Sequence, residues 1–165
     1  MNRDDAVALF MEKATLAAAG VRRVSGAKGL AAAIAELVPA DMAAFCPAQS
    51  AWEEVAAAAL AQRIAGYAQA EVAVEEVLAG IAETGSIVCA SVEGRAVQAS
   101  LLPSHHVALL PAEKIYPTLD DFFQSLTANP ATNIAIITGP SRTADIELTL
   151  AIGVHGPERL DVVIV

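Results

Sequence analysis

Aromatic residues are scarce in this chain: one Trp, two Tyr and four Phe, 4% of 165 positions. A platform that stacks nucleic-acid bases needs several exposed rings, so that function is excluded. Basic residues are scarce too. Ten Lys and Arg face nineteen Asp and Glu, a net charge of −9. Arg22 and Arg23 form the only basic pair, and a phosphate backbone would be repelled. The two cysteines, Cys46 and Cys89, are far apart in apolar stretches and fit no CxxC pattern. They read as reduced, buried thiols of a cytoplasmic protein, with a disulfide or redox role as the alternative. Two cysteines do not make the four-thiolate set of an iron–sulfur cluster. With three histidines they also show no zinc-ligand spacing, so no bound metal is expected.

No long run is continuously apolar. The charge-free stretch from Phe123 to Ser141 contains Gln124, Asn129, Pro130 and Asn133, so no membrane span is expected. The start, Met1-Asn2-Arg3-Asp4-Asp5, is acidic, and Glu12 and Lys13 interrupt the apolar stretch after it, so it is not read as a signal peptide. What the chain does have is apolar bulk, 55% hydrophobic against 18% charged, much of it alanine. That supports a sizeable core and excludes global disorder. A mass of 17.0 kDa is one domain's worth. We therefore expect one domain over residues 1–165, with a short helical N-terminal part over about 1–38.

Hydrophobic spacing outlines the elements. Val7, Phe10, Ala14, Ala17 and Val21 recur at helical spacing, with Gly20 as a stop. Leu30, Ala33, Ile34, Leu37 and Val38 form a second stripe, ended by Pro39. Ser50 and Glu53 make a capping-box pattern that opens a helix carrying Trp52, Val55, Ala59 and Ile64. A short helix is expected around Val77, Leu78 and Ile81. Another follows Thr118, with Leu119, Phe122, Phe123 and Leu126 packing inward. Strands are expected at Met42–Cys46, Val72–Val74, Ser86–Ala90, Val107–Leu110, Asn133–Thr138 and Leu160–Val165. Unalternating apolar strands between helices indicate an α/β fold, a mostly parallel sheet of about six strands covered on both faces.

Residues 133–165 read as a βαβ unit: a strand, a Gly139-Pro140-Ser141-Arg142-Thr143 turn, a helix over about Ala144–Ile152, and a last strand. Backbone N–H groups at a helix N-terminus, two hydroxyls and the Arg142 guanidinium are the parts of an anion site. The alternative is plain capping by Ser141 or Thr143, with Asp145 and Glu147 complementing the helix dipole. The turn lacks the glycine and lysine of a phosphate loop, and there is no dinucleotide-binding G-x-G-x-x-G.

The stretch Ile137-Thr-Gly-Pro-Ser-Arg-Thr-Ala-Asp-Ile-Glu147, continuing through Gly153-Val-His-Gly-Pro157, resembles the signature of the LUD-domain family, in its lactate utilization protein C (LutC/YkgG) branch. Ala82-Glu83-Thr84-Gly85-Ser86 resembles its strand entry, and Arg95, Ser100-Leu101-Leu102-Pro103 and His106 resemble its next segment. The matches span Glu71 to Val165; residues 1–70 agree in general character only. The resemblance implies a three-layer αβα fold of the NagB/RpiA/CoA-transferase kind. It also implies a part in oxidising L-lactate to pyruvate alongside iron–sulfur partner proteins, with any cluster in the partners and none in this chain. A small anionic ligand would sit among Thr84, Gly85, Arg95, His106, Gly139, Ser141, Arg142, Thr143, Glu147 and His155. Two alternatives stay open: a stand-alone enzyme on a phosphorylated or CoA-thioester substrate, with Glu83 or Asp145 as catalytic candidates, and a structural partner without a ligand site. His105 and His106 are adjacent, so a strand turns them to opposite faces.

Overall fold

The computed structural model describes residues 1–91, 94–126, 131–144, 150–152 and 156–165. In chain order the elements are α1 (Arg3–Leu16), β1 (Gly20–Arg23), α2 (Gly26–Leu37), β2 (Ala44–Phe45), α3 (Ala51–Ala59), β3 (Arg63–Ile64), β4 (Val72–Glu76), β5 (Ala79–Ile81), β6 (Ser86–Ala90), β7 (His105–Leu110), β8 (Ile115–Tyr116), α4 (Leu119–Ser125), β9 (Ile134–Ile137), β10 (Arg142–Ala144), β11 (Leu150–Ile152) and β12 (Arg159–Ile164). Helix starts follow local chemistry. The Asn2 side chain accepts the Asp5 N–H at the head of α1. Ser50–Glu53 and Thr118–Asp121 form capping boxes at α3 and α4.

Six strands form an all-parallel sheet in the order β1-β12-β7-β4-β2-β3. The runs that build its centre, such as His105–Leu110, are buried throughout, as a parallel sheet covered on both faces requires. On one face, Leu30, Ala33, Ile34 and Leu37 of α2 and Ala56 of α3 pack against Val72, Val74, Val107, Leu109 and Val163. On the other, Val7, Phe10 and Ala14 of α1, with Ile87 and Cys89 of β6, cover Ala108, Leu110, Leu160, Val162 and Ile164. The fold is therefore the expected three-layer α/β arrangement around a parallel sheet.

The composition of that sheet differs from expectation. Four of the six anticipated strands belong to it (β2, β4, β7, β12). The other two, β6 and β9, lie in a separate four-stranded sheet ordered β8-β5-β6-β9, covered by Phe122 of α4. The 133–165 segment is thus no βαβ unit, because β9 and β12 are in different sheets. Its expected helix is replaced by the antiparallel pair β10–β11 at residues 142–144 and 150–152; residues 145–149 are outside the described set. The helix expected around Val77–Ile81 is strand β5, since Gly80 lies within contact range of both Phe10 and Leu110, which a strand interior allows. Gly20 does not stop a helix. The α1 cap is Ala17, Ala18 takes φ 66°, and Gly20 with Val21 opens β1. The N-terminal part is therefore helix–strand–helix. Ile64 is on β3 rather than α3.

Phe123 is 48% exposed where an inward position was expected, because α4 is only seven residues long and buries one ring, Phe122. Phe10 is fully buried where α1 meets both sheets. Phe10→Ala should cost about 3–5 kcal/mol in urea unfolding. Phe123→Ala should stay within about 1 kcal/mol of wild type.

Candidate functional site

The carboxyl-terminal edge of a parallel sheet is where such folds take ligands. Here that edge is organised by Glu53, the third residue of α3. Its side chain is fully buried. Removing a carboxylate from water costs several kcal/mol unless its oxygens are filled. Five N–H groups fill them. Oε2 accepts the backbone N–H of Gln49 at 2.8 Å and Ser50 at 3.3 Å, and Arg95 Nη2 at 3.0 Å. Oε1 accepts the Glu76 N–H at 2.8 Å and Arg95 Nη1 at 2.5 Å. Burial pushes the Glu53 carboxyl upward. The Arg95 hydrogen bonds, the Glu76 and Gln49 amides and the Arg95 charge outweigh it and hold the group below the ordinary value.

Arg95, held from behind by the buried Glu53, lines a cavity of about 390 Å³ together with Ser50, Glu75, Glu76, Cys89 and Lys114. Lys114 Nζ donates to Glu76 Oε1 at 2.6 Å. At the back, three strands bring together Glu75 of β4, Cys89 of β6 and His106 of β7, whose ligating atoms all lie within 4.8 Å of one another. The Ser100 hydroxyl donates to Glu75 Oε1 at 2.5 Å. His106 Nε2 lies 3.4 Å from the same oxygen, yet neither ring nitrogen of this fully buried histidine has a hydrogen-bond partner. An orphaned buried polar group costs about 1–3 kcal/mol. Both cysteines are free and buried. Burial, with Glu75 adding to it, pushes the Cys89 thiol up to about 12. His105 turns to the opposite face and meets Asp161 Oδ2 at 2.8 Å, at the far edge of the sheet.

The Gly139 turn lines a different cleft of about 630 Å³, with Thr138, Ser141 and Arg142 on its polar side and Leu101 and Ile136 among its apolar residues. Arg142 is exposed, and among the described residues no carboxylate pairs with it. It begins a strand, so among the described residues no helix starts behind the turn to supply a dipole or for Ser141 or Thr143 to cap. A hydroxyl chain reaches this cleft: Thr84 Oγ1 and Ser86 Oγ are 2.7 Å apart, as are Ser86 Oγ and Thr138 Oγ1. The two motif glycines, Gly85 at φ 67° and Gly139 at φ 72°, serve α1. A Cβ on Gly85 would lie 2.1 Å from Ala14 N, and one on Gly139 2.1 Å from Ala17 O. They let the strand ends close on the helix backbone.

The expected site residues therefore divide. Gly139, Ser141 and Arg142 line the second cleft, and Thr84 connects to it through Ser86 and Thr138; Arg95 and His106 belong to the first cavity and the cluster behind it. Thr143 contributes backbone to β10. Glu83 is exposed and accepts the Leu119 N–H at 2.7 Å at the start of α4, a capping contact. Asp145, Glu147 and His155 lie outside the described residues. Sequence reading missed Glu53 beyond its capping role, and Glu75, Glu76 and Lys114 altogether. The one available signal was two acids directly continuing the apolar run Val72–Val74.

The LUD domain family pattern matches residues 50–165, well over half of the chain, and the chain belongs to that family. Lactate utilization protein C of Macrococcus caseolyticus is 37% identical over 91 residues, 52% of this chain and 39% of that protein. The protein of the same name from Bacillus subtilis is 34% identical over 91 residues, 52% of this chain and 38% of its own length. The chain thus matches about two fifths of the length of these curated relatives. The crystal structure of a DUF162 family protein from Deinococcus radiodurans shares the fold, with TM-score 0.74 at 21% identity over 99% of this chain and 98% of that one.

Removing one partner of a buried ion pair costs about 3–5 kcal/mol, so Arg95→Met should lose about that much at pH 7. In the wild type, the Glu53 contribution is complete above the unfolded carboxyl pKa of about 4.3 and fades only as pH falls through the lower folded value. In Arg95→Met the hydrogen bonds and charge that lower the Glu53 pKa are lost, so its folded value should rise above that of the wild type and protonation should relieve the variant as pH falls towards 4. Urea unfolding should therefore show the gap narrowing between pH 7 and pH 4. Adding Glu53→Gln should recover part of the loss and abolish the narrowing.

Proposed function

We propose that this chain acts as a LutC-like component in the oxidation of L-lactate to pyruvate, together with iron–sulfur partner proteins, and holds a small anionic ligand in the cleft at Thr138–Arg142. Family membership and the relatives named lactate utilization protein C support the pathway assignment. The observation that carries the ligand site is Arg142: an exposed guanidinium at a partly polar cleft, with no acidic partner among the described residues, in a chain of net charge −9. In so acidic a chain, an anion must be held by a few local cations and amides. Placing the iron–sulfur clusters in the partners fits the cysteines, which sit in separate core clusters on opposite faces of the central sheet. Among the described residues no helix is long and apolar enough to cross a membrane.

The size of the cleft favours a second reading of the ligand. Even at about 30 Å³ per heavy atom, the volume a water takes in the liquid, the six heavy atoms of lactate fill under a third of 630 Å³. A phosphorylated or CoA-thioester anion, with an apolar portion against Leu101 and Ile136, uses more of it. A covalent mechanism at Glu83 has less support, since that carboxylate already serves α4.

Calorimetric titration with lactate, pyruvate, CoA and a sugar phosphate separates these readings. Arg142→Ala should weaken whichever anion binds by about 10- to 100-fold, the worth of a charge-assisted hydrogen bond. Unchanged affinity in the variant would remove the cleft from the account. Exclusive binding of CoA or sugar phosphate would favour the second reading.

A further inference from the structure

We infer that Glu75, Cys89 and His106 form a binding site for one divalent transition-metal ion of the zinc class, with an open coordination position facing the cavity beside Arg95. The proposal stands independently of the anion cleft.

Three observations carry it. The first is the donor set. A carboxylate, a thiol and an imidazole from β4, β6 and β7 converge so that their ligating atoms lie within 4.8 Å of one another. Sulfur, nitrogen and oxygen together are the borderline donors that suit zinc, whereas calcium and magnesium take oxygen alone. Tetrahedral zinc with bonds of about 2.0–2.3 Å sets its ligands about 3.3–3.7 Å apart, so from separations within 4.8 Å the donors have at most about 1.5 Å to close.

The second is His106. It is fully buried, and both ring nitrogens lack a hydrogen-bond partner. Its Nε2 points towards Glu75 at 3.4 Å without making a hydrogen bond. Buried histidines are normally satisfied, and a metal ion between Nε2, the Glu75 carboxylate and the Cys89 sulfur would satisfy this one.

The third is charge. Of the three carboxylates around the cavity, Glu53 is paired with Arg95 and Glu76 with Lys114. Among the described residues no Lys or Arg forms an ion pair with Glu75, whose neighbours are the Ser100 hydroxyl and His106 Nε2, so it is the carboxylate here that no structural cation holds. Glu75 and Cys89 also line the cavity, whereas His106 lies behind them. Three protein ligands with the fourth position open to a cavity is the pattern of a zinc site that takes an exogenous ligand, a water or a small carboxylate, rather than a closed structural site.

The test uses the full chain stripped with a chelator and titrated with Co²⁺ and then Zn²⁺. One equivalent of Co²⁺ should give a thiolate-to-cobalt charge-transfer band and the intense visible bands of a four-coordinate ion, and Zn²⁺ should displace both. Cys89→Ser should lose the charge-transfer band, and Cys46→Ser should keep it. His106→Gln should weaken binding by more than about 100-fold, beyond the 10- to 100-fold cost of losing an outer-shell partner. Circular dichroism reports whether each variant folds. Should a buried variant fail to fold, the wild-type protein decides: a one-equivalent charge-transfer band that persists in Cys46→Ser leaves Cys89 as its only source. No stoichiometric binding, binding without that band, or a band retained in folded Cys89→Ser overturns the proposal.

Discussion

A carboxylate wholly removed from water must be met at every lone pair, and that demand at Glu53 arranges the working edge of this fold. The residue sits in the first turn of α3 because the Ser50 capping box needs an acid three positions on. Its oxygens reach past that local duty to the Glu76 amide at the end of β4 and to both terminal nitrogens of Arg95. One side chain thus ties a helix start, a central strand end and the arginine of the family-like segment to a single point. Arg95 is thereby committed to structure. It shapes the cavity wall while its charge is spent on Glu53, which is why the free cation for an anionic ligand is sought at Arg142.

The layering explains why the candidate residues separate into two places. The central sheet is covered on one face by α2 and α3 and on the other by α1 and the smaller sheet. The junction between the two sheets holds Glu75, Cys89 and His106; the outer end of the smaller sheet, where β9 leaves at Thr138, holds the second cleft. Gly85 and Gly139 both press on the C-terminal end of α1. The helix is therefore clamped beside the cleft by the motif glycines, and part of the family signature has a packing role.

What was legible in the sequence was what local chemistry decides. The Ser50 and Thr118 helix starts, the α2 stripe and the buried strand β6 follow from caps and hydrophobic periodicity and are found where expected, and β7 covers its expected Val107–Leu110 run and starts two residues earlier at His105. Non-local decisions were not legible. Val77, Leu78 and Ile81 have helical spacing, but Gly80 is pressed by Phe10 and Leu110 and belongs to a strand. Asn133–Thr138 and Leu160–Val165 look alike as apolar runs, and only pairing partners assign them to different sheets. The cluster behind the cavity was invisible for the same reason: its three residues come from three strands, so no ligand spacing marks them. Family resemblance pointed to Arg95 and His106, but their neighbours, Glu53 and Glu75, could be read only from the fold.

Everything at this edge rests on Glu53 being an ionised carboxylate held by Arg95 inside the protein. Carbon-13 detected titration of the Glu53 side-chain carboxyl tests that directly. The resonance should stay in its ionised position through the ordinary glutamate range and move only at lower pH, with Arg95→Met shifting its midpoint upward. A carboxyl that titrates at or above the ordinary value in the wild-type protein, or one indifferent to Arg95→Met, would contradict it.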